Sequence, residues 1–164
     1  MAKGKVSPEL IEQFKQIVGE KYVYTDKDKL EPYSHDEVTD PHYMKEPQVV
    51  VLPATTEEVS KVVKLCYEND TVMVPRAAGT GLAAGAVATF GGVIISIERM
   101  NKILEIDKDN MVCVSEAGVT TSVLQEAVRR KASSTAATPA VGTPASSVVT
   151  LQPTLVVTAL LNMA

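Results

Sequence analysis

The stretch from Pro75 to Ala86 reads PRAAGTGLAAGA, and the interpretation of the whole sequence starts from it. It lies between two short apolar runs, 71–74 and 92–97, that favour β-strands. Five of the nine glycines fall between Gly79 and Gly92. Such a backbone can approach a ligand closely and turn several N–H groups toward it, which suits a phosphate. Arg76 at the loop's entry can add a bidentate cation. The stretch therefore predicts a pyrophosphate-binding loop on a small α/β scaffold.

The composition is that of an ordinary globular domain. The chain has 164 residues, 45% of them hydrophobic and 22% charged, which is enough for one domain with a core. A net charge of −4 and the absence of Trp argue against nucleic acid or an anionic membrane as a partner. Cys66 and Cys113 form no Cys-x-x-Cys pair, so we expect buried free thiols. The N-terminal residues lack the apolar core of a signal peptide, and the expected compartment is the cytoplasm.

The first half of the chain predicts two helices and two strands. Ser7 and Pro8 are typical of a helix start, and the helix ends at Gly19. Residues 20–48 predict a long irregular connection with one short strand or turn. Residues 48–52 favour a buried strand, and 71–74 a second strand. The expected apolar helix positions are Leu10, Ile11, Phe14, Ile17 and Val18 in the first helix, and Val59, Val62, Val63 and Cys66 in a second helix opened by a Thr55-x-x-Glu58 capping box.

After the glycine-rich loop the sequence favours three short strands and a third helix. The strands are expected at 93–97, 103–106 and 111–115, and their close spacing predicts antiparallel pairing. Thr121 or Ser122 is typical of a helix cap, and the basic residues 129–131 suit the helix C-terminus. The inner face of this helix is predicted from four apolar positions: Val123, Leu124, Ala127 and Val128.

A metal site is not expected in the irregular connection. It holds His35 and His42 with Asp36 and Asp40 nearby, but their spacing matches no specific ligand motif. We therefore interpret these side chains as solvated loop residues and predict no metal.

Several phosphate loops compete for the glycine-rich stretch. A nucleotide-triphosphate loop requires Gly-Lys-Ser/Thr, which is missing. The pattern Gly79-x-Gly81-x-x-Ala84 matches a dinucleotide fingerprint, with Glu98 in the place of the ribose-binding acid. That fold needs a crossover helix, and residues 82–89 are too few for one. A glycine-rich turn without a ligand and a flavin loop remain.

Four segments favour the flavin loop: EPQVVVLPATTEEVSKVVKLC, VPRAAGTGLAAGAV, GGVIISIERMNKILEID and VSEAGVTTSVLQEAV. In this order they resemble the FAD-binding domain of the vanillyl-alcohol oxidase superfamily, within it the branch of glycolate oxidase flavin subunits and D-lactate dehydrogenases. The upstream YSHDEVTD is similar to the N-terminal region of that family. The resemblance covers about half of the chain and divides it into a lead-in (1–46), an FAD-binding subdomain (47–131) and a low-charge tail (132–164).

The resemblance implies an α+β fold, the first subdomain of the vanillyl-alcohol oxidase type, with FAD as cofactor. It also implies oxidation of a 2-hydroxy acid such as glycolate or D-lactate. The electron acceptor would be an iron–sulfur subunit, an electron-transfer flavoprotein or a quinone. Thr80 stands where some branches attach the flavin to a His, so FAD is expected to be noncovalent. The cofactor-binding residues implied are Pro75, Arg76, Ala77, Ala78, Gly79, Thr80, Gly81, Leu82, Gly85, Ala86 and Gly118. Where the family usually has Gly, this chain has Ala77 and Ala84, which puts cofactor affinity in doubt.

The tail departs from the family. Residues 132–164 carry no charged side chain, and the second flavin loop of the family, GGN-x-A-x-NAGG, is missing. Read in a shifted frame, 132–135 can encode Gly-Leu-Phe-Tyr, and 146–157 can encode a loop of that kind. We therefore interpret the tail as out of frame, disordered or at most helical from Val148, and the chain as truncated and inactive. Residues 148–164 are too short and too polar for a membrane span. The alternative is a non-catalytic nucleotide-binding module or a nonfunctional fragment.

Overall fold

The computed structural model describes residues 6–38, 40–110 and 112–132. The predicted tail, 132–164, lies outside them except for the backbone of its first residue. The chain divides into two compact units, Met1–Arg99 and Met100–Ala164. Within the described ranges, no helix is long and apolar enough to cross a membrane.

The first helix confirms its sequence signals. Helix α1 spans Pro8–Val18, and the Ser7 side chain accepts a hydrogen bond from the Leu10 backbone N–H at 3.2 Å. Gly19 ends the helix with φ +91°, a conformation that glycine adopts at little cost. One face of α1 is buried through Leu10, Phe14 and Val18.

The connection after α1 is more ordered than the sequence predicts. It contains the two-residue strand β1 (Val23–Tyr24), the short helix α2 (Lys27–Leu30) and three single turns of 3₁₀-helix at Glu20–Tyr22, Glu31–Tyr33 and Pro41–Tyr43. Pro32 and Pro41 occupy the first turns of two of these, where a missing N–H costs nothing. Local turns therefore satisfy much of the backbone that the composition left unassigned.

Four strands form the central sheet, in the order β1-β2-β4-β3. They are β1, β2 (Val49–Val51), β3 (Met73–Arg76) and β4 (Val93–Ser96). Strand β4 runs parallel to both β2 and β3, while β1 is antiparallel to β2. The prediction that the strand at 93–97 pairs antiparallel with its successors is therefore wrong. An irregular connection without a helix, Ala77 to Gly92, is enough to return the chain to a parallel neighbour.

Strand β3 also runs further than predicted, because it includes Pro75 and Arg76. Proline lacks the N–H of a sheet ladder, but β3 is the edge of the sheet and has one free side. The irregular loop therefore begins at Ala77, with Arg76 fixed opposite Ser96 in the parallel register.

Helix α3 (Thr56–Glu68) follows the predicted capping box. The Thr55 hydroxyl accepts from the Glu58 N–H at 3.2 Å, and the Glu58 carboxylate accepts from the Ala54 N–H at 2.7 Å. Val62 and Cys66 are fully buried, as predicted. Val63 is exposed, which corrects its assignment to the inner face, and Leu65 packs against the core instead.

Apolar clusters cover both faces of the sheet. One cluster joins α1, α3 and the sheet; its buried members are Leu10, Phe14, Val18, Val23, Val49, Val51, Val62, Cys66, Val93 and Ile95. The other cluster comprises Leu30, Val50, Leu52, Ala88 and Ile94. Strands β2 and β4 are buried on both faces, as expected for parallel strands. Because Ala88 belongs to the second cluster, the far end of the glycine-rich loop is anchored in the core.

The second unit contains a hairpin and a helix. Strands β5 (Ile103–Asp107) and β6 (Val112–Ser115) pair antiparallel, which confirms that part of the prediction. Helix α4 spans Thr121–Ala132. Val123 is 54% exposed and is not part of an inner face, contrary to expectation.

Candidate functional site

The candidate site is the loop from Ala77 to Gly92, which leaves the carboxyl end of β3 and enters β4. Ligands of open sheets with parallel strands commonly bind outside these carboxyl ends. The loop has no regular secondary structure. Its first part is mostly exposed, whereas Val87 and Ala88 are buried. The loop is therefore open to a ligand in its first half and fixed to the core in its second half.

The backbone of the loop supplies free donors. Within the described residues, the N–H groups from Ala77 to Ala86 donate no hydrogen bond to another protein group. Residues 77–92 carry no charged side chain. A row of unpaired amides on an apolar, small-residue loop is the donor set that a pyrophosphate requires. The residues present therefore fit the phosphate part of a dinucleotide such as FAD.

Arg76 lies beneath this loop instead of projecting from it. The residue is 8% exposed. The guanidinium donates to the Ala86 carbonyl through Nη1 at 3.1 Å and to the Pro32 carbonyl through Nη2 at 3.2 Å. The Tyr33 ring centroid lies 5.5 Å from Cζ. Burial lowers the pKa of Arg76, and the nearby Tyr33, Asp36 and Glu98 oppose this shift. Its predicted contact with phosphate stays a prediction.

Gly79 is the glycine that this arrangement needs. It has φ +72°, and a Cβ at this position would lie 2.6 Å from the Cζ atom of Arg76. Ala84 also has a positive φ, +54°, although it carries a Cβ. Ala77 does not share this conformation. Of the two departures from the family's glycine pattern, only Ala84 is conformationally costly.

Sequence reasoning missed the part of the lead-in that supports the loop. The Glu37 N–H donates to the Gly81 carbonyl at 3.1 Å. Asp36 is buried, and its Oδ1 accepts from the Val38 N–H at 3.0 Å. Oδ2 of Asp36 has no hydrogen-bond partner in the described structure and lies 3.6 Å from where a Cβ of Gly81 would stand. The only sequence signal for these contacts was the similarity of YSHDEVTD to the family.

A hydrogen-bonded carboxylate also stands at the carboxyl end of β4. Glu98 accepts hydrogen bonds from the Tyr33 hydroxyl and, at 3.0 Å, from the Ser96 hydroxyl. Burial and the bond to Glu98 raise the pKa of Tyr33, so the phenol stays protonated and donates. In a dinucleotide-binding fold, Glu98 would stand in the place of the ribose-binding acid. The structure gives it partners within the protein.

The remaining predicted site residues are spread over the loop and the second unit. Thr80 and Leu82 are exposed, as are Pro75, Ala78, Gly81 and Gly85. Gly118 belongs to the second unit, where its N–H donates to the Met100 carbonyl at 2.8 Å. Among the described residues, no three His, Cys, Asp or Glu side chains are grouped to hold a metal.

Known proteins are similar to this chain in sequence and in fold. The family model "FAD binding domain" matches residues 47–149. A D-lactate dehydrogenase of Anaerostipes hadrus is 46% identical over 117 residues, which are 71% of this chain and 24% of that protein. Glycolate oxidase subunit GlcD of Bacillus subtilis is 37% identical over 99 residues, covering 60% of this chain and 21% of the subunit. The chain thus spans about a quarter of the length of these relatives.

The solved structure of p-cresol methylhydroxylase with bound substrate superposes with a TM-score of 0.67 at 26% identity, over 75% of this chain and 24% of that one. The fold is therefore the mixed helix and sheet fold of the vanillyl-alcohol oxidase type that the sequence predicted. Because the family model matches more than half of this chain, the chain belongs to the FAD-binding domains of FAD-linked oxidoreductases, and FAD is its cofactor.

Proposed function

We propose that this chain provides the pyrophosphate-binding part of a noncovalent FAD site in an oxidoreductase that acts on a 2-hydroxy acid. The observation that carries the proposal is the similarity to proteins named D-lactate dehydrogenase and glycolate oxidase. Both names denote chemistry on a carbon that bears a hydroxyl next to a carboxylate. The loop of unpaired amides at the end of β3 supports it independently.

The residues divide the work as follows. Backbone N–H groups between Ala77 and Ala86 bind the two phosphates. Thr80 offers a hydroxyl and no imidazole, so it forms no bond to the flavin. Gly118 lines the adenosine or ribityl part of the cofactor. When bound, FAD would supply a hydride acceptor for the hydroxy acid. The electron acceptor of the whole enzyme would be an iron–sulfur subunit, an electron-transfer flavoprotein or a quinone. The buried free thiols of Cys66 and Cys113 suit the cytoplasm.

We further propose that these 164 residues do not turn over substrate by themselves. The second flavin loop of the family is not present in the sequence, and a frame change near the Lys131 codon accounts for it. The in-frame part of the FAD-binding subdomain, 47–131, is then shorter than the stretch 47–149 that the family model matches. Sequencing the gene around that codon tests this directly, because an uninterrupted frame in independent isolates contradicts it. Restoring the frame is expected to recover both FAD retention and activity.

Purified protein tests the cofactor and the substrate class together. We expect weak uptake of added FAD, measured by quenching of flavin fluorescence, and no bleaching of the bound flavin by D-lactate or glycolate. The frame-restored protein is expected to bleach with one of them. Gly79→Val should abolish uptake, because its Cβ would meet the Arg76 guanidinium, while Ser60→Ala on the exposed side of α3 serves as the control. A frame-restored protein that takes up no FAD contradicts the proposal.

A further inference from the structure

Arg76 connects three separate parts of the chain. It is the last residue of β3, and its two hydrogen bonds reach the Ala86 carbonyl at the far end of the loop's exposed part and the Pro32 carbonyl in the lead-in. These acceptors lie 10 and 44 residues away in sequence. The guanidinium of a residue that is only 8% exposed requires such partners, because a buried charge without hydrogen bonds is very costly. The hydrogen-bonding groups of the side chain are therefore directed at backbone carbonyls of the protein.

The middle of the loop rests on the same group. Gly79 adopts φ +72° directly over the guanidinium, since a Cβ there would approach Cζ to 2.6 Å. The Tyr33 ring also faces the guanidinium, with its centroid 5.5 Å from Cζ. The guanidinium thus fixes the loop at its far end through a hydrogen bond and at its middle through contact.

The charge of Arg76 is partly offset by carboxylates of the protein. The carboxylates of Asp36 and Glu98 both favour the charged guanidinium. Their charges partly offset that of the guanidinium, which reduces its attraction for a phosphate. The amides of residues 77–86, by contrast, donate to no protein group in the described part of the chain, and these residues are more exposed than Arg76. Neutral donors are thus better placed than the cation to receive the ligand.

We propose that Arg76 is a positioning residue: it braces the glycine-rich loop from below, so that backbone N–H groups, and not the guanidinium, bind the pyrophosphate. This rests on the proposed role of the loop in FAD binding. The fork of the guanidinium is essential to the brace, because one ammonium group cannot reach both carbonyls in the same way. A positive charge without the guanidinium fork is not sufficient to hold the loop.

The brace is tested first without cofactor. Arg76→Lys keeps the charge and loses the fork, and Arg129→Lys, exposed on α4, is the matched control. Elastase cleaves after small residues, and mass spectrometry identifies cuts between 77 and 86. We expect these cuts to be about tenfold or more faster in Arg76→Lys than in the wild type or control, as loss of a charge-assisted hydrogen bond implies. Unchanged cleavage in a variant that is folded by circular dichroism overturns the brace.

Cofactor binding then separates the brace from a direct phosphate contact. For the wild type, we expect the Kd for FAD to change by less than about threefold between 50 and 500 mM KCl, because neutral donors are little affected by screening. We expect Arg76→Lys and Arg76→Gln to weaken binding alike. A steep salt dependence, with Lys retaining the affinity that Gln loses, establishes a direct contact and refutes the proposal. If the wild type binds no FAD at all, the proposed function fails, and the elastase result alone decides the brace.

The salt titration uses the unmodified chain, so it remains decisive if both Arg76 variants fail to fold. In that case a shallow dependence supports amide binding and a steep dependence refutes it. Failure of both variants to fold, with a folded Arg129→Lys control, itself agrees with a side chain that holds separate segments together.

Discussion

Replacing Ala84 by glycine is expected to stabilise this protein. Ala84 has φ +54°, in the left-handed region where a Cβ crowds the following carbonyl. Its carbonyl accepts a hydrogen bond from the Val87 N–H at 3.3 Å, and Val87 is buried, so the conformation is held by the surrounding fold. The strain therefore stays in the folded state and is absent from the unfolded chain.

The expected magnitude follows from two opposing effects. An alanine in the left-handed region costs about 1–2 kcal/mol. Glycine gives the unfolded chain extra freedom, which offsets about 0.4–1 kcal/mol of the gain. The net gain in the free energy of unfolding is therefore about 0.5–1 kcal/mol, or roughly 2–5 °C in Tm for a domain of this size.

The same loop offers a control with the same chemical change. Ala77 does not have a positive φ, so Ala77→Gly should only add freedom to the unfolded chain and lower stability by about 0.4–1 kcal/mol. Urea denaturation followed by circular dichroism measures both variants against the wild type, with the m-value expected to stay constant. Equal shifts of the two variants, or a loss of stability in Ala84→Gly, would refute the assignment of strain to Ala84.

Three further predictions concern packing, capping and thiol chemistry. Gly92→Ala should lower the free energy of unfolding by at least about 3 kcal/mol or prevent folding, because at φ +95° its Cβ would lie 2.9 Å from the Val72 carbonyl carbon. Gly85→Ala is the control, since a Cβ there meets nothing within 4 Å, and its free energy of unfolding should stay within about 0.5 kcal/mol of the wild type. Urea denaturation measures both variants. Thr55→Ala should lower thermal stability by about 1 kcal/mol, through loss of the cap on the Glu58 N–H. Burial raises the pKa of Cys66 to about 11, so alkylation by iodoacetamide at pH 8 should be about 100-fold slower in the native protein than in urea; comparable rates would contradict its burial. The free energy of unfolding should fall as the pH rises from 9 to about 11, because the unfolded chain loses the Cys66 thiol proton in this range while the folded protein keeps it.

Local signals predicted the elements that depend on neighbours in sequence. Ser7, Pro8 and Gly19 bound α1, and the Thr55 capping box begins α3, because caps are made within three or four residues. The inner faces were less accurate. Val63 and Val123 fit a helical period but face solvent, since the width of a buried stripe depends on what the helix packs against.

Strand pairing between segments that are distant in sequence could not be predicted from such local signals. The sequence suggested that the strands after the loop form one antiparallel set, yet β4 inserts between β2 and β3 and is parallel to both. Close spacing along the chain is what predicts antiparallel pairing, and residues 82–89 are too few for the crossover helix of a dinucleotide-binding fold. Here the connection leaves the carboxyl end of β3 and returns to the amino end of β4, and on the way it packs Ala88 into the core without a helix. The supporting contacts from Pro32 and Asp36 are equally long-range, so only family resemblance could indicate them.

The glycine-rich composition that first indicated a phosphate loop proves to have several physical causes. Gly79 has a positive φ over the guanidinium of Arg76, and Gly92 has one against the backbone of Val72. These glycines are required by the fold of the free protein, whatever the loop binds. Gly81 and Gly85 have ordinary φ values and room for a Cβ, with Asp36 Oδ2 at 3.6 Å from the first and nothing within 4 Å of the second. If alanine at Gly81 or Gly85 weakens FAD binding without lowering stability, the requirement for glycine must come from the close approach of the phosphates themselves.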